Sequence, residues 1–185
     1  MKTHLGLTLV ELIVAIAIVS VVLAISIPSF SPMVHRVDSS TSVNQMIGLL
    51  HYARSAAINH GTLVTLCPTA DFIHCTNDWN LELMVFTDPD KDRTVSPGET
   101  LLRIQQPDQT AHWTMRPANK SYFQFDPDGT VHGTLGSLLY CHQSQAPELA
   151  RRLFLNLGGR VRLSSDKDGD NVHEDNNGQA LSCSL

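Results

Sequence analysis

Apolar residues fill positions 7–27 almost without a break, twenty-one residues whose only charge is Glu11. Built as a helix, that run spans about 31 Å, the thickness of a bilayer's hydrocarbon core. The pattern then changes character. Phe30, Met33, Val34, Val37, Met46, Ile47, Leu50, Ala53, Ala57 and Ile58 recur near helical spacing, interrupted by the polar stretch 38–42. Pro28 lacks an N–H and crowds the carbonyl one turn back, so it predicts a kink within a continuing helix. Asn59-His60-Gly61 predicts the end, with Gly61 suited to a left-handed C-terminal cap. The expectation is one helix of about fifty residues, apolar all round in its first half and amphipathic in its second.

Beyond position 61 the period shortens. The segments 63–67, 81–86, 100–104, 122–125, 153–157 and 160–163 are short, often alternating, and bounded by Pro, Gly, Asp or Asn. They predict an antiparallel β head of residues 61–185 and an α+β fold, the long N-terminal helix packed on the sheet. No internal repeat, low-complexity tract or Gly/Ser-rich linker marks a second domain.

Charge and cysteine usage narrow the setting. The formal net charge of −5 excludes a surface built throughout for nucleic acid, so any polyanion contact is local. All four cysteines lie beyond the apolar run, on the side that an anchored chain exports, which points to an oxidising compartment. Of the three possible pairings, Cys67 with Cys75 closes a short loop and leaves Cys141 as the mate of Cys183, near the C-terminus. Lys2 ahead of the apolar run keeps the N-terminus cytoplasmic and the head outside. A secretory signal would have a shorter core and a small-residue cleavage site where this chain has Ile27, Pro28 and Ser29.

The stretch Gly6-Leu7-Thr8-Leu9-Val10-Glu11-Leu12 resembles the processing site of type IV prepilins and type II secretion pseudopilins, with Leu7 where those proteins usually carry Phe. The resemblance implies a leader of residues 1–6, removed after Gly6 by a prepilin peptidase, and methylation of the new terminal amine on Leu7. It divides the helix into a transmembrane part, 7–27, and an amphipathic part, 28–60. It also implies a reason for Glu11: in the pilin family this carboxylate pairs with the terminal amine of a neighbouring subunit, so that each charge compensates the other in a low-dielectric setting.

The head adds a second layer of resemblance. Two cysteines around a short loop, Trp79, the strand ending Val85-Phe86-Thr87-Asp88, the stretch Gly98-Glu99-Thr100-Leu101-Leu102-Arg103, Phe125-Asp126-Pro127-Asp128-Gly129, Cys141 and Gly159-Arg160-Val161-Arg162 resemble the GspH/FimT branch of minor pilins and pseudopilins. The partners implied are other pilins and minor pilins, the prepilin peptidase and the inner membrane. The implied location is that membrane with the head in the periplasm, then a pilus or pseudopilus at the cell surface.

Residues 151–162 carry Arg151, Arg152, Arg160 and Arg162 and no acid. On a strand, Arg160 and Arg162 would share one face about 6.6 Å apart with Val161 turned inward, a spacing suited to successive phosphates. In FimT-type pilins a G-R-x-R motif is associated with DNA capture in natural transformation, and the resemblance carries that role onto Gly159, Arg160 and Arg162; Arg151 and Arg152 are expected to help bind the DNA, and the lack of aromatic residues interleaved with the basic ones makes double-stranded DNA the expected partner. The plainer account is a solvated face, or pairing with Asp166, Asp168, Asp170, Glu174 and Asp175, which with Lys167 bring residues 151–175 to five charges of each sign. Two further readings use the same fold without DNA: a GspH-like pseudopilin of type II secretion and a FimU-like minor pilin that primes the fibre.

Asp88, Asp90, Asp92 and Glu99 fall at positions 1, 3, 5 and 12 of an EF-hand-like loop, but Arg93 stands where that loop wants Gly. The expectation is therefore no metal, with those four carboxylates as the alternative. Asp166-Lys167-Asp168-Gly169-Asp170 repeats the spacing without a twelfth-position Glu. No nucleophile elbow, metalloprotease helix or phosphate-binding glycine loop is present, and the nine histidines are scattered. The chain reads as a non-enzyme without a cofactor.

Overall fold

The computed structural model describes residues 8–106, 108, 110–117, 120–133 and 135–183, leaving aside the side chains of 24–29. It divides into two units, Met1–Val37 and Asp38–Leu185, which are taken separately.

Helix α1 runs over Leu9–His60 and ends where the sequence places it, with Gly61 at a φ of 62°. In the first unit every described side chain from 8 to 23 is exposed, including Leu9, Ile13, Ile16 and Val19. Among the described residues no helix is long and apolar enough to cross a membrane, so a span over 7–27 remains an expectation of the sequence.

In the second unit, α1 supplies Val43, Met46, Leu49, Leu50, Ala53, Ala56 and Ala57 to the core, all buried and spaced at three and four. The polar stretch 38–42 packs as well. Ser39 is buried and donates to the Leu149 carbonyl at 3.0 Å, and buried Ser42 bonds the carboxylate of Asp108.

The head contains two antiparallel sheets. The strands are β1 Val64–Thr69, β2 Glu82–Thr87, β3 Leu101–Gln105, β4 Ala111–Arg116, β5 Phe123–Phe125, β6 Val131–His132, β7 Ser137–His142, β8 Arg151–Leu155 and β9 Val161–Leu163. One sheet has the order β3-β2-β1-β5-β6 and the other β4-β7-β8-β9. Val64, Leu66, Leu83, Val85, Phe123 and Phe125 of the first sheet meet Trp113, Met115, Leu138, Tyr140, Leu153 and Leu155 of the second in one core with α1. Trp79 packs edge-on against Phe123 and Trp113 against Tyr140, with ring centroids 5.5 and 5.2 Å apart.

Each sheet has a second buried face, and each is covered by a segment tied with a disulfide. Cys67, Met84 and Phe86 pack outward against Cys75, Val95 and Tyr122, with Cys67 bonded to Cys75. Leu139, Cys141 and Ala150 pack outward against Leu181 and Cys183, with Cys141 bonded to Cys183. A strand buried on both faces reads as a continuous apolar run rather than an alternation. That is why the spacing of Leu138, Leu139, Tyr140 and Cys141 did not announce β7.

Candidate functional site

The basic residues cluster where β8 turns into β9. Asn156 shapes this turn: its side-chain oxygen accepts from Arg160 N at 3.0 Å, its carbonyl from Gly159 N at 3.0 Å, and its own N–H donates to the Arg160 carbonyl at 3.1 Å. Gly159 has a φ of 71° and leaves no room for a side chain, because a Cβ would lie 2.2 Å from the Gly129 carbonyl oxygen. Arg54 of α1 donates to that same oxygen at 2.8 Å. The Leu157 carbonyl accepts from Val131 N at 2.8 Å, joining this turn to the edge strand of the other sheet.

The four arginines have different fates. Arg160 is exposed, and among the described residues its guanidinium has no hydrogen-bond or ion-pair partner. Arg162 is also exposed, yet its guanidinium stands 4.9 Å over the ring of Phe154, its cross-strand neighbour, and bonds the side chain of Asn176. Val161 between them packs against the core. Arg151 donates to the carbonyls of Glu148 at 2.8 Å and Ala150 at 2.7 Å. Arg152 is half-buried, which lowers its pKa, and faces Asp175 at 3.9 Å. Arg151 and Arg152 thus serve the chain's own structure. Sequence reasoning passed over a different cation, Arg116 at the end of β4, which lines a groove of about 440 Å³ together with Leu135, Ser137, Phe154, Arg162 and Asn176. Its pairing with Ser137 across β4 and β7 brings it there, a register that spacing alone does not disclose.

The acids after β9 are largely occupied by local backbone. Asp166 accepts from the N–H groups of Gly169 and Asn171, the Gly169 bond first in lowering its pKa. Asp175 is held down chiefly by the N–H of Gln179, with that of Asn177 and the charge of Arg152 assisting. Asp166, Asp168, Asp170 and Glu174 bring one oxygen each within 4.8 Å of one another, Glu174 supplying from the ninth position the group that the sequence lacks at the twelfth. In the other acidic loop Asp88, Asp90 and Glu99 converge within the same limit, whereas Asp92 turns to accept from Thr94 N at 2.7 Å. Burial, together with the charges of Asp88, Asp90 and Asp92, raises the pKa of Glu99.

At the N-terminus, Gly6 and Leu7 lie outside the described residues. Thr8 caps α1, its hydroxyl accepting from Glu11 N at 3.2 Å, so Thr8 and Glu11 hold the two ends of a capping-box sequence. The Glu11 side chain itself is exposed.

A two-sheet head behind a helix that starts at such a motif is the arrangement that known proteins can identify. The model of the family described as type II transport protein GspH matches residues 42–159. The chain belongs to the GspH family. The model described as the prokaryotic N-terminal methylation motif matches residues 1–27. The fold agrees with that of the type IV minor pilin FimU of Pseudomonas aeruginosa strain PAO1, with a TM-score of 0.55 at 20% identity over 72% of this chain and 93% of that one. The minor pseudopilin EpsH of the Vibrio cholerae type 2 secretion system aligns with a TM-score of 0.48 at 15% identity, over 68% of this chain and 95% of that one. A search of curated proteins found no match. The family match ends at Gly159, so Arg160 and Arg162 stand just past it.

Proposed function

We propose that this GspH-family chain is a minor subunit made as a membrane-anchored prepilin, cut after Gly6 by a prepilin peptidase and methylated on Leu7. Its head waits on the periplasmic side of the inner membrane until residues 7–27 pack with other pilins and minor pilins in a pilus or pseudopilus. The observation that carries this reading is the helix over 9–23, whose apolar side chains are all exposed in the single chain. Such a surface needs lipid or neighbouring helices to cover it. Glu11 supplies the register, pairing with the terminal amine of the adjacent subunit. N-terminal sequencing of chain made beside its cognate peptidase should read methylated Leu7, and an intact Met1 would reject the proposal.

A second reading adds DNA. The guanidinium of Arg160, exposed and without a hydrogen-bond or ion-pair partner among the described residues, supports it, as do Arg162 and Arg116, which line one groove and offer two further cations to phosphates. So few cations on a net-negative chain give weak, non-specific, salt-sensitive binding to double-stranded DNA, the property a competence pilin needs for uptake in natural transformation. Replacing Arg160 and Arg162 with Gln should abolish a mobility shift with duplex DNA at low salt and leave surface assembly intact. If the wild-type chain gives no shift, the assembly role stands alone, as a secretion pseudopilin or a priming minor pilin.

A further inference from the structure

The loop from Asp88 to Thr100 joins β2 to β3, and its first residue is an anomaly. Asp88 is fully buried at the end of β2, where burying a carboxylate demands partners for both oxygens. One oxygen is well served: Oδ2 accepts from Thr65 Oγ1 at 2.5 Å and from Gln124 Nε2 at 3.0 Å. The other, Oδ1, is shut off from solvent and has no donor among the described residues. Glu99, eleven residues later, is partly buried, with Oε2 accepting from Ser96 N at 2.9 Å and Oε1 shut off from solvent with no donor among the described residues.

These orphaned carboxylates converge. Asp88, Asp90 and Glu99 each present an oxygen within 4.8 Å of the others. A calcium ion holds its oxygens at about 2.3–2.6 Å, so ligands on opposite sides of it lie up to about 5 Å apart. The loop backbone is folded to make this possible. Lys91 and Arg93 adopt φ values of 65° and 63°, so Arg93 takes the left-handed turn that an EF-hand-like loop assigns to Gly. The Arg93 guanidinium stands 5.0 Å over the Tyr122 ring. Val95 N donates to the Ile73 carbonyl at 2.8 Å and Cys75 N to the Arg93 carbonyl at 3.2 Å, which ties the far side of the loop to the Cys67–Cys75 segment.

We propose that the β2–β3 loop binds one calcium ion through Asp88, Asp90 and Glu99. The ion takes the two buried oxygens that no donor reaches and offsets the mutual repulsion of three carboxylates. Calcium suits the site better than magnesium, which demands near-ideal octahedral geometry and keeps most of its water. Asp92 remains a backbone cap within the loop. The site is independent of any nucleic-acid role, since none of its residues lines the groove that holds Arg116 and Arg162.

The test is calorimetric titration of calcium chloride into chelator-washed full chain in detergent, with magnesium chloride in parallel. Wild type should take up one calcium at this site with a Kd of about 0.1–1 mM, the range of extracellular oxygen sites, and bind magnesium at least tenfold more weakly. Asp88→Asn disturbs buried bonds to Thr65 and Gln124, so the deciding variants are Asp90→Asn at the exposed end of the loop and Glu99→Gln. Each should weaken calcium at least tenfold with an unchanged circular dichroism spectrum, while Asp168→Asn in the other acidic loop changes nothing. No saturable calcium binding, equal binding of magnesium, or dependence on Asp168 rather than on Asp90 and Glu99 would overturn the proposal.

Discussion

Gly159 sits so close to Gly129 that a Cβ on the first would fall 2.2 Å from the carbonyl oxygen of the second. Neither backbone can yield easily, because that oxygen already accepts from Arg54 and the residue at 159 must hold a φ of 71°. Gly159→Ala should therefore destabilise the head by roughly 2–4 kcal/mol, combining left-handed strain with a steric clash. Urea denaturation checks this, and an unchanged midpoint would show that the turn relaxes freely. The glycine of the Gly-Arg-x-Arg stretch thus has a structural duty separable from any DNA contact.

Arg160 and Arg162 should part company in stability. Arg160→Gln removes no side-chain hydrogen bond or ion pair among the described residues and should shift the unfolding free energy by less than about 0.5 kcal/mol. Arg162→Gln loses its position over Phe154 and its bond to Asn176, and should cost about 0.5–1.5 kcal/mol. Equal effects in a denaturant series would mean that Arg162 is as loosely held as its neighbour.

The two disulfides should differ in weight. Cys141 and Cys183 are 42 positions apart and Cys67 and Cys75 only eight. The chain-entropy model gives about 4 kcal/mol for the longer loop and about 2.5 for the shorter. Paired replacement of Cys141 and Cys183 by Ser should lower the melting temperature more than the same change at Cys67 and Cys75, and protease should then trim the C-terminal tail first.

Lys120 supplies a pH dependence. It is 8% exposed, its ammonium is buried 5.0 Å from the Phe123 ring with no hydrogen-bond partner among the described residues, and burial lowers its pKa to about 8. Between about pH 8 and the unfolded value near 10.5 the unfolded chain binds more protons, so stability rises with pH across that window. Lys120→Met should be more stable than wild type at pH 7, by roughly 2 kcal/mol, and should lose this part of the rise. Parallel slopes for the two proteins between pH 7 and 10 would refute the assignment.

Legibility in the sequence followed the physics of each element. The end of α1 was plain because Gly61 has one conformational reason to be there, and both disulfides followed from spacing. The outer strands β3 and β9 were legible from composition and turns. β4 and β7 were not, and with them went the division of the head into two sheets: β7 is apolar on both faces, and β4, Ala-His-Trp-Thr-Met-Arg, alternates without β-branched bulk on its buried side. The basic cluster was visible as composition, but which arginines stay available depended on tertiary partners: the carbonyls that take Arg151, the Asp175 that faces Arg152, the ring beneath Arg162. Arg93 looked like an obstacle to a cation loop because residue type was read as conformation, and its φ of 63° removes the objection.

The coverage of β7 by residues 181–183 sets an order on the chain's own making. Leu181 and Cys183 finish a face begun by Leu139 and Cys141 some forty positions earlier. Until that later segment is made and the thiols meet an oxidant, the second sheet keeps a raw apolar side. A reduced copy would advertise that side to quality-control proteases, and an oxidised one would hide it. The Cys141–Cys183 bond is in this sense a seal on the outer face of the second sheet.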